Sequence, residues 1–225
     1  MVVAIDGPAS SGKSTTAREV AKVLGFTHID TGAMYRALTL AALRRNVCLE
    51  DDDELTRLAR EVRIELGQEN GVPWVKLDGE DVSQAIRTPE VDRHVSRVSE
   101  VAGVREEIVR QQRVLAGSRD VVMEGRDIGT VVFPNAEVKV FLVADPVTRA
   151  RRRKAELEQR GIARPLEEIF SEIVKRDEYD SSRAVSPLRR AEGAEDLDTS
   201  ELSIQQQVDE VVARVRRYLE KVHKT

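Results

Sequence analysis

Four residues near the start of the chain have the types and spacing of a phosphate cradle. Gly7, Gly12, Lys13 and Ser14 spell G-x-x-x-x-G-K-S within VVAIDGPASSGKSTTAREVA. Glycines let a backbone curl so that successive N–H groups face one anion. The Lys13 ammonium would add a mobile positive charge, and the Ser14 hydroxyl a hard oxygen suited to magnesium. The bland alternative is a glycine-rich turn, and its surroundings argue against it. VVAI is a short apolar, β-branched run, and STTAREVAKVL repeats apolar residues at Ala17, Val20, Ala21 and Leu24, a helical spacing. Strand, loop and helix thus arrive in the order that points a helix N-terminus at bound phosphates.

A phosphate loop alone serves switches, motors, transporters and kinases, so the remaining charged residues must decide. DTGAMYR places Arg36 one helical turn after Thr31 and Gly32. EGRDIGT places Arg126 and Asp127 at a strand end between glycines, where they can project into a crevice. KRDEYDSSR presents Arg176, Asp180 and Arg183 at spacings of four and three, one face of a helix. A surface ion-pair ladder would give the same spacing. A second group of arginines near the phosphate loop could hold an acceptor phosphate and neutralise charge in the transition state.

These residues need a scaffold, and the chain reads as alternating strands and helices. After the first helix, FTHIDTGAMYRALTLAALRR reads as an extended piece, a turn at Thr31-Gly32 and an amphipathic helix; EDDDELTRLAREV starts another. VRIELGQENGVPWVKLDGEDVS holds two strands around QENG, a hairpin signal. A helical stretch follows from about Pro89 to Leu115. Val121, Val122 and Met123 form a short buried strand, and EVKVFLVAD is the clearest strand in the chain. PVTRARRRKAELEQRG and Leu166 to Tyr179 are helical, AEDLDTS is a short last strand, and Ser203 with Gln206 makes a capping box. In the final helix Ile204, Val208, Val211, Val215, Leu219 and Val222 repeat helically as a core face. The pattern predicts an α/β fold: a doubly wound, mostly parallel sheet with helices on both faces and ligands at the carboxyl ends of its strands.

Composition bounds the rest. The chain has 225 residues, 40% hydrophobic and 34% charged, with a net charge of −4. That suits one globular unit with an insertion at about 62–115 between core segments 1–61 and 116–225. A slightly acidic protein is a poor general binder of nucleic acid. Arginine nevertheless supplies 28 of the 36 basic residues. It presents a fork suited to phosphate, although growth at high temperature would also favour it. One cysteine, Cys48, allows no intrachain disulfide and reads as a small buried residue. His28, His94 and His223 show no metal-ligand spacing. No apolar run approaches membrane-spanning length and no signal peptide is legible, so a cytoplasmic protein, most simply a monomer, is expected.

The motifs together carry a family resemblance. IDGPASSGKST, DTGAMYRA, GEDVSQAIRTPEV, EGRDIGTVVFPNAEVKVFL and KRDEYDSSRAVSPL resemble, in order, the motifs of the bacterial cytidylate kinases, a family of P-loop nucleoside monophosphate kinases. The resemblance implies a kinase that uses ATP and Mg²⁺ to phosphorylate CMP and dCMP, with the insertion as its monophosphate-binding subdomain. ATP phosphates would lie on Gly7, Pro8, Ala9, Ser10, Ser11, Gly12, Lys13, Ser14 and Thr15, with Ser14 toward the metal. Thr31, Arg36, Arg126 and Arg183 would hold the acceptor phosphate, and Asp180 with Arg176 the pentose hydroxyls. Ser96, Arg105 and Asp127 would meet the cytosine edge, and Tyr35 would wall the pocket. A helical lid at about 149–165 would close Arg149, Arg152 and Arg153 over the transferring phosphates; a solvated basic face remains open for some of these arginines, Arg151 among them. Thr31 stands where serine is often found, and Ser10-Ser11 fill variable loop positions.

Two rivals can be weighed on the residues. A GTP-dependent switch needs D-x-x-G and N-K-x-D; no D-x-x-G occurs, and VKRD at 174–177 lacks the asparagine. A kinase for another small acceptor, such as UMP, dTMP or shikimate, is opposed by EGRD and the hairpin insertion only through the resemblance.

Overall fold

A computed structural model describes residues 1–69 and 71–222. Asn70, within the QENG hairpin, and His223 lie outside the described residues. The chain divides into two compact units, one from Met1–His28 with Ser118 onward, the other Ile29–Gly117.

The first unit is built on a five-stranded sheet of order β2-β6-β1-β7-β8, comprising β1 (Val2–Asp6), β2 (Thr27–Asp30, in which the division falls), β6 (Val121–Gly125), β7 (Val138–Val143) and β8 (Glu195–Asp198). β1 runs parallel to both neighbours, Asp6 standing opposite Gly125 on one side and Phe141 on the other, and β7 runs parallel to β8. The sheet carries helices on both faces, as the alternating pattern predicts. Val3, Ile5, Val122, Val140 and Leu142 pack with Ala17 and Val20 of α1 (Lys13–Leu24) and with Val208, Val211 and Val215 of α8 (Ile204–Val222). The Ser203–Gln206 capping box forms, each residue's backbone N–H donating to the other's side chain. Ile204, Leu219 and Val222 are exposed rather than core residues. At 1.5 Å per residue the helix outruns a six-residue strand by roughly two turns, and these positions lie at its ends. α6 (Pro146–Gln159) and α7 (Leu166–Ser182) pack on each other, with Ala150, Leu157, Ile169 and Ile173 as a small core.

The second unit holds α2 (Thr31–Arg44), α3 (Asp52–Glu61), the antiparallel sheet β3 (Ile64–Glu69), β4 (Val72–Leu77) and β5 (Glu80–Asp81), then α4 (Pro89–Glu100) and α5 (Ala102–Ala116). It is wider at its start than the segment 62–115, because Leu38, Ala41, Leu55 and Leu58 of α2 and α3 share a core with Val75, Val98 and Ile108. Four readings change here. Thr31 and Gly32 are already helical, because the Asp30 carboxylate accepts the Ala33 N–H and starts α2 two residues earlier. The stretch Pro89–Leu115 is two helices, broken at Val101 (φ −61°, ψ 120°). The redirected α5 comes so close to α3 that a Cβ at Gly103 would lie 2.4 Å from Thr56 Oγ1. The two-residue strand β5 carries no periodic signal of its own. Cys48 is exposed, in the link between α2 and α3.

Candidate active site

β1 ends at Asp6, and the loop that follows turns into α1 through Gly7 (φ +150°) and Gly12 (φ +98°), conformations that side chains resist. At Gly7 space forbids one as well: a Cβ there would lie 2.2 Å from the Leu142 carbonyl oxygen. Ser10 adopts a left-handed φ of +58°, local strain of the kind that persists where surrounding structure dictates it. Gly12 caps α1 without a side chain, so no side chain of the cap covers the first-turn N–H groups.

Lys13 is 6% exposed. Its ammonium donates to the Pro8 carbonyl at 2.6 Å and lies 3.5 Å from Ser11 Oγ. Burial, with the Arg126 charge adding to it, holds its pKa well below the ordinary lysine value against the pull of Glu124, Asp6 and Asp180. Stripping a cation of water in this way raises the value of any anion offered to it. Ser14 Oγ donates to Glu124 Oε2 at 2.6 Å, and the other oxygen of Glu124 lies 3.1 Å from His28 Nε2. Burial opposes the charge on Glu124, but the His28 contact, the Ser14 hydroxyl and the Lys13 charge together lower its pKa.

The rear of the loop is held from the far end of the unit. Gln207 of α8, fully buried, accepts from Thr16 Oγ1 at 2.9 Å and donates to the Leu202 carbonyl. Its Oε1 sits 2.9 Å from where a Cβ on Gly12 would stand. Thr199, equally buried, donates to the Ser11 carbonyl at 2.9 Å. Arg152 donates to that carbonyl and to Thr199. Arg149, 3% exposed, makes a bidentate pair with Asp177 and also donates to the Ala9 and Ala144 carbonyls. Arg153 pairs with Glu156 on its own helix.

The arginines singled out by spacing do come together within this unit. Asp180, 3% exposed, accepts from Arg126 Nε at 2.9 Å and lies 3.9 Å from Arg183 Nη1. Burial opposes its charge, but Arg126, Arg176 and Arg183 outweigh that and lower its pKa. Arg183 is not on the helical face implied by its spacing. α7 ends at Ser182, and the extended Arg183 (φ −61°, ψ 143°) sends its Nε to the Ser186 carbonyl. Asp127 is buried beside this group, and its carbonyl accepts the Val131 and Val132 N–H groups of a π-helical turn, Ile128–Val132, that periodicity did not announce.

In the second unit, Arg36 is paired with Asp92 at 2.6 Å and donates to the Ile86 carbonyl. Arg105, 3% exposed, stands 5.3 Å over the Tyr35 ring, within cation–π range, and donates to the Ser99 carbonyl. Thr31 is buried at the start of α2, and Ser96 is half-buried on α4, its carbonyl accepting from Ser99 Oγ.

Comparison with known proteins decides what these parts belong to. Residues 3–217 match the family Cytidylate kinase. The chain belongs to the cytidylate kinase family. It is 50% identical over 219 residues to a protein of Bacillus cytotoxicus named cytidylate kinase, 97% of each chain being covered. A protein of the same name from Caldanaerobacter subterraneus subsp. tengcongensis is 50% identical over 215 residues, covering 96% of this chain and 94% of that one. Among solved structures, an uncharacterised protein from Eubacterium ventriosum aligns with a TM-score of 0.51 at 11% identity, covering 96% of this chain and 98% of that one, which speaks to the fold alone. This family member is therefore a kinase, and the rivals outside that class fall away.

Sequence reasoning passed over several residues of this kinase. Glu124 and Asp6 carried a signal: each is an acid in or next to the last position of an otherwise apolar strand, VVMEG and VVAID. Asp177, Thr199 and Gln207 carried none, because only the fold brings them to the loop.

Proposed function

We propose that this cytidylate kinase family member transfers the γ-phosphate of ATP to CMP and dCMP, giving ADP and CDP or dCDP, with Mg²⁺. The observation that carries the reading is the cation group of the first unit, the buried Lys13 and Arg183 with the half-buried Arg126 around Asp180, at the carboxyl ends of the central strands. Two substrates that are both anions need such charge to approach each other. An acceptor phosphate oxygen would attack the γ-phosphorus while the bond to the β–γ bridging oxygen breaks. The acceptor is already anionic at neutral pH, so positioning can replace a general base.

In this reading the loop from Gly7 to Thr15 binds the donor phosphates and Lys13 follows the moving charge. Ser14 Oγ and Glu124, two hard oxygens in contact, fit a magnesium ion held chiefly by nucleotide and water. That ion would supply charge neutralisation between the phosphates. Arg126 and Arg183, with Thr31 and Arg36, take the acceptor phosphate; Asp180 and Arg176 take the pentose; Ser96, Arg105 and Asp127 read the base beside Tyr35. The segment 149–165 acts as the lid, Arg149 exchanging Asp177 for phosphate and Arg153 exchanging Glu156. Residues 62–115 serve as the monophosphate-binding insertion. No helix among the described residues is long and apolar enough to cross a membrane, and a cytoplasmic monomer acting on small nucleotides, not on nucleic acid, completes the proposal.

A coupled ADP-release assay across CMP, dCMP, UMP, dTMP and shikimate tests it. CMP and dCMP should lead by orders of magnitude in kcat/KM; UMP or shikimate as the best acceptor would overturn the assignment.

A further inference from the structure

Asp6 closes β1, is 4% exposed, and has no part in the reaction as described. Its carboxylate accepts two backbone N–H groups, Oδ1 from Ile128 at 2.9 Å and Oδ2 from Gly129 at 2.8 Å. Those amides begin the π-helical turn, directly after Arg126 and Asp127. The approach is close: a Cβ at Gly129 would stand 3.4 Å from Asp6 Oδ2 and 3.1 Å from Ala191 Cβ. A carboxylate only accepts, so it suits two donors at once. A carboxylic acid or a carboxamide keeps one accepting oxygen and sets a donor against the second N–H.

We infer that Asp6 is a positioning residue, whose ionised carboxylate pins the Ile128 and Gly129 amides and so fixes the strand end that directs Arg126 onto Asp180. The inference rests on the phosphotransfer reading, in which Arg126 holds the acceptor phosphate. Burial pushes the pKa of Asp6 up to about 6; the negative charge of Asp127 adds to the rise, and the two amides and the Lys13 ammonium oppose it. Asp127 and Lys13 are thus the charged groups that face it. Lys139 borders Gly129 with its methylene chain but sends its ammonium to the Glu192 carbonyl. A group poised in this range makes the turn loosen as the pH falls.

The test is Asp6→Asn, assayed with the best acceptor of the panel. A misaimed arginine should lower kcat roughly 10- to 100-fold, leaving KM for ATP nearly unchanged and the circular-dichroism spectrum native. The unsubstituted enzyme should show an acid limb in kcat near pH 6 that the variant lacks. A kcat like that of the parent, or the same acid limb in both, overturns the inference. Should the variant not fold, the parent protein still decides. Its Ile128 and Gly129 amide resonances, followed by NMR, should titrate together near pH 6, and amides that do not shift across that range overturn it. If no monophosphate is phosphorylated, the phosphotransfer reading fails, while the amide titration still judges the Asp6 contact.

Discussion

The two ends of α7 put an arginine and a carboxylate four residues apart, Arg164–Glu168 and Arg176–Asp180, to opposite uses. Toward its N-terminus, the largely exposed Glu168 and Glu172 pair with Arg164. Toward its C-terminus, Asp180 gathers Arg126, Arg176 and Arg183 where the Asp180 and Arg183 side chains are each 4% exposed. The first is a solvated ladder, whose pairs contribute about 0.2–1 kcal/mol each. The second concentrates charge in a place that water does not neutralise, which is costly unless an anion of the right shape is meant to arrive. Burial, not spacing, separates Asp180 and Arg183 from the ladder at the other end of α7.

The largest test of that distinction is Lys13, buried at 6% exposure in the first unit. Lys13→Ala should keep a native circular-dichroism spectrum and lose roughly a thousandfold or more in kcat. Near-normal turnover would mean that buried cations here are structural only.

Asp180→Asn comes next. Removing the single acid among three cations should lower kcat/KM about 100-fold and stability by about 3 kcal/mol, measured by urea unfolding at neutral pH. The pH dependence has a definite sign. The folded pKa of Asp180 lies below its unfolded value, so its contribution is present above about pH 4 and is lost as the pH falls through the folded value. The parent and variant unfolding curves should therefore converge in acid. Curves that stay parallel from neutral pH to acid would place the stabilisation elsewhere.

Arg105 asks whether the rule extends to the second unit, where it is buried against Tyr35. Arg105→Met should reduce CMP activity more than UMP activity, shrinking their ratio by roughly tenfold or more, the scale of one lost buried hydrogen bond. Equal losses on both substrates would remove Arg105 from base selection. The smallest effect belongs to the ladder: Glu172→Gln should change stability by less than about 1 kcal/mol and leave turnover untouched. A large kinetic effect there would erase the contrast between the two ends.

The sheet, the phosphate loop and the placing of Arg176 with Asp180 were legible because each rests on local pattern: β-branched runs, a fixed glycine spacing, residues one helical turn apart. That Arg126 and the extended Arg183 join them is the work of the fold. Three other things were not legible. Helix breaks such as Val101 depend on where α5 must lie against α3, and end caps such as Asp30 shift a boundary by two residues. The exposed Ile204, Leu219 and Val222 show that periodicity marks a face without saying how much of it is covered. The partners behind the loop, Thr199 and Gln207, were invisible for a deeper reason: the hydrogen bond from Thr16 to Gln207 spans 191 residues.

That span bears on the order in which the molecule can assemble. Within this stretch, synthesis from the N-terminus releases β1 before either strand that will flank it, since Val3 pairs with Val122 on one side and Val138 on the other. Strand pairings of such long range form slowly, after much of the chain has emerged from the ribosome. The loop is made early and its braces late, so its final shape waits on α8. Until then VVAI is an apolar strand with two unpaired edges, the kind of segment that chaperones shield.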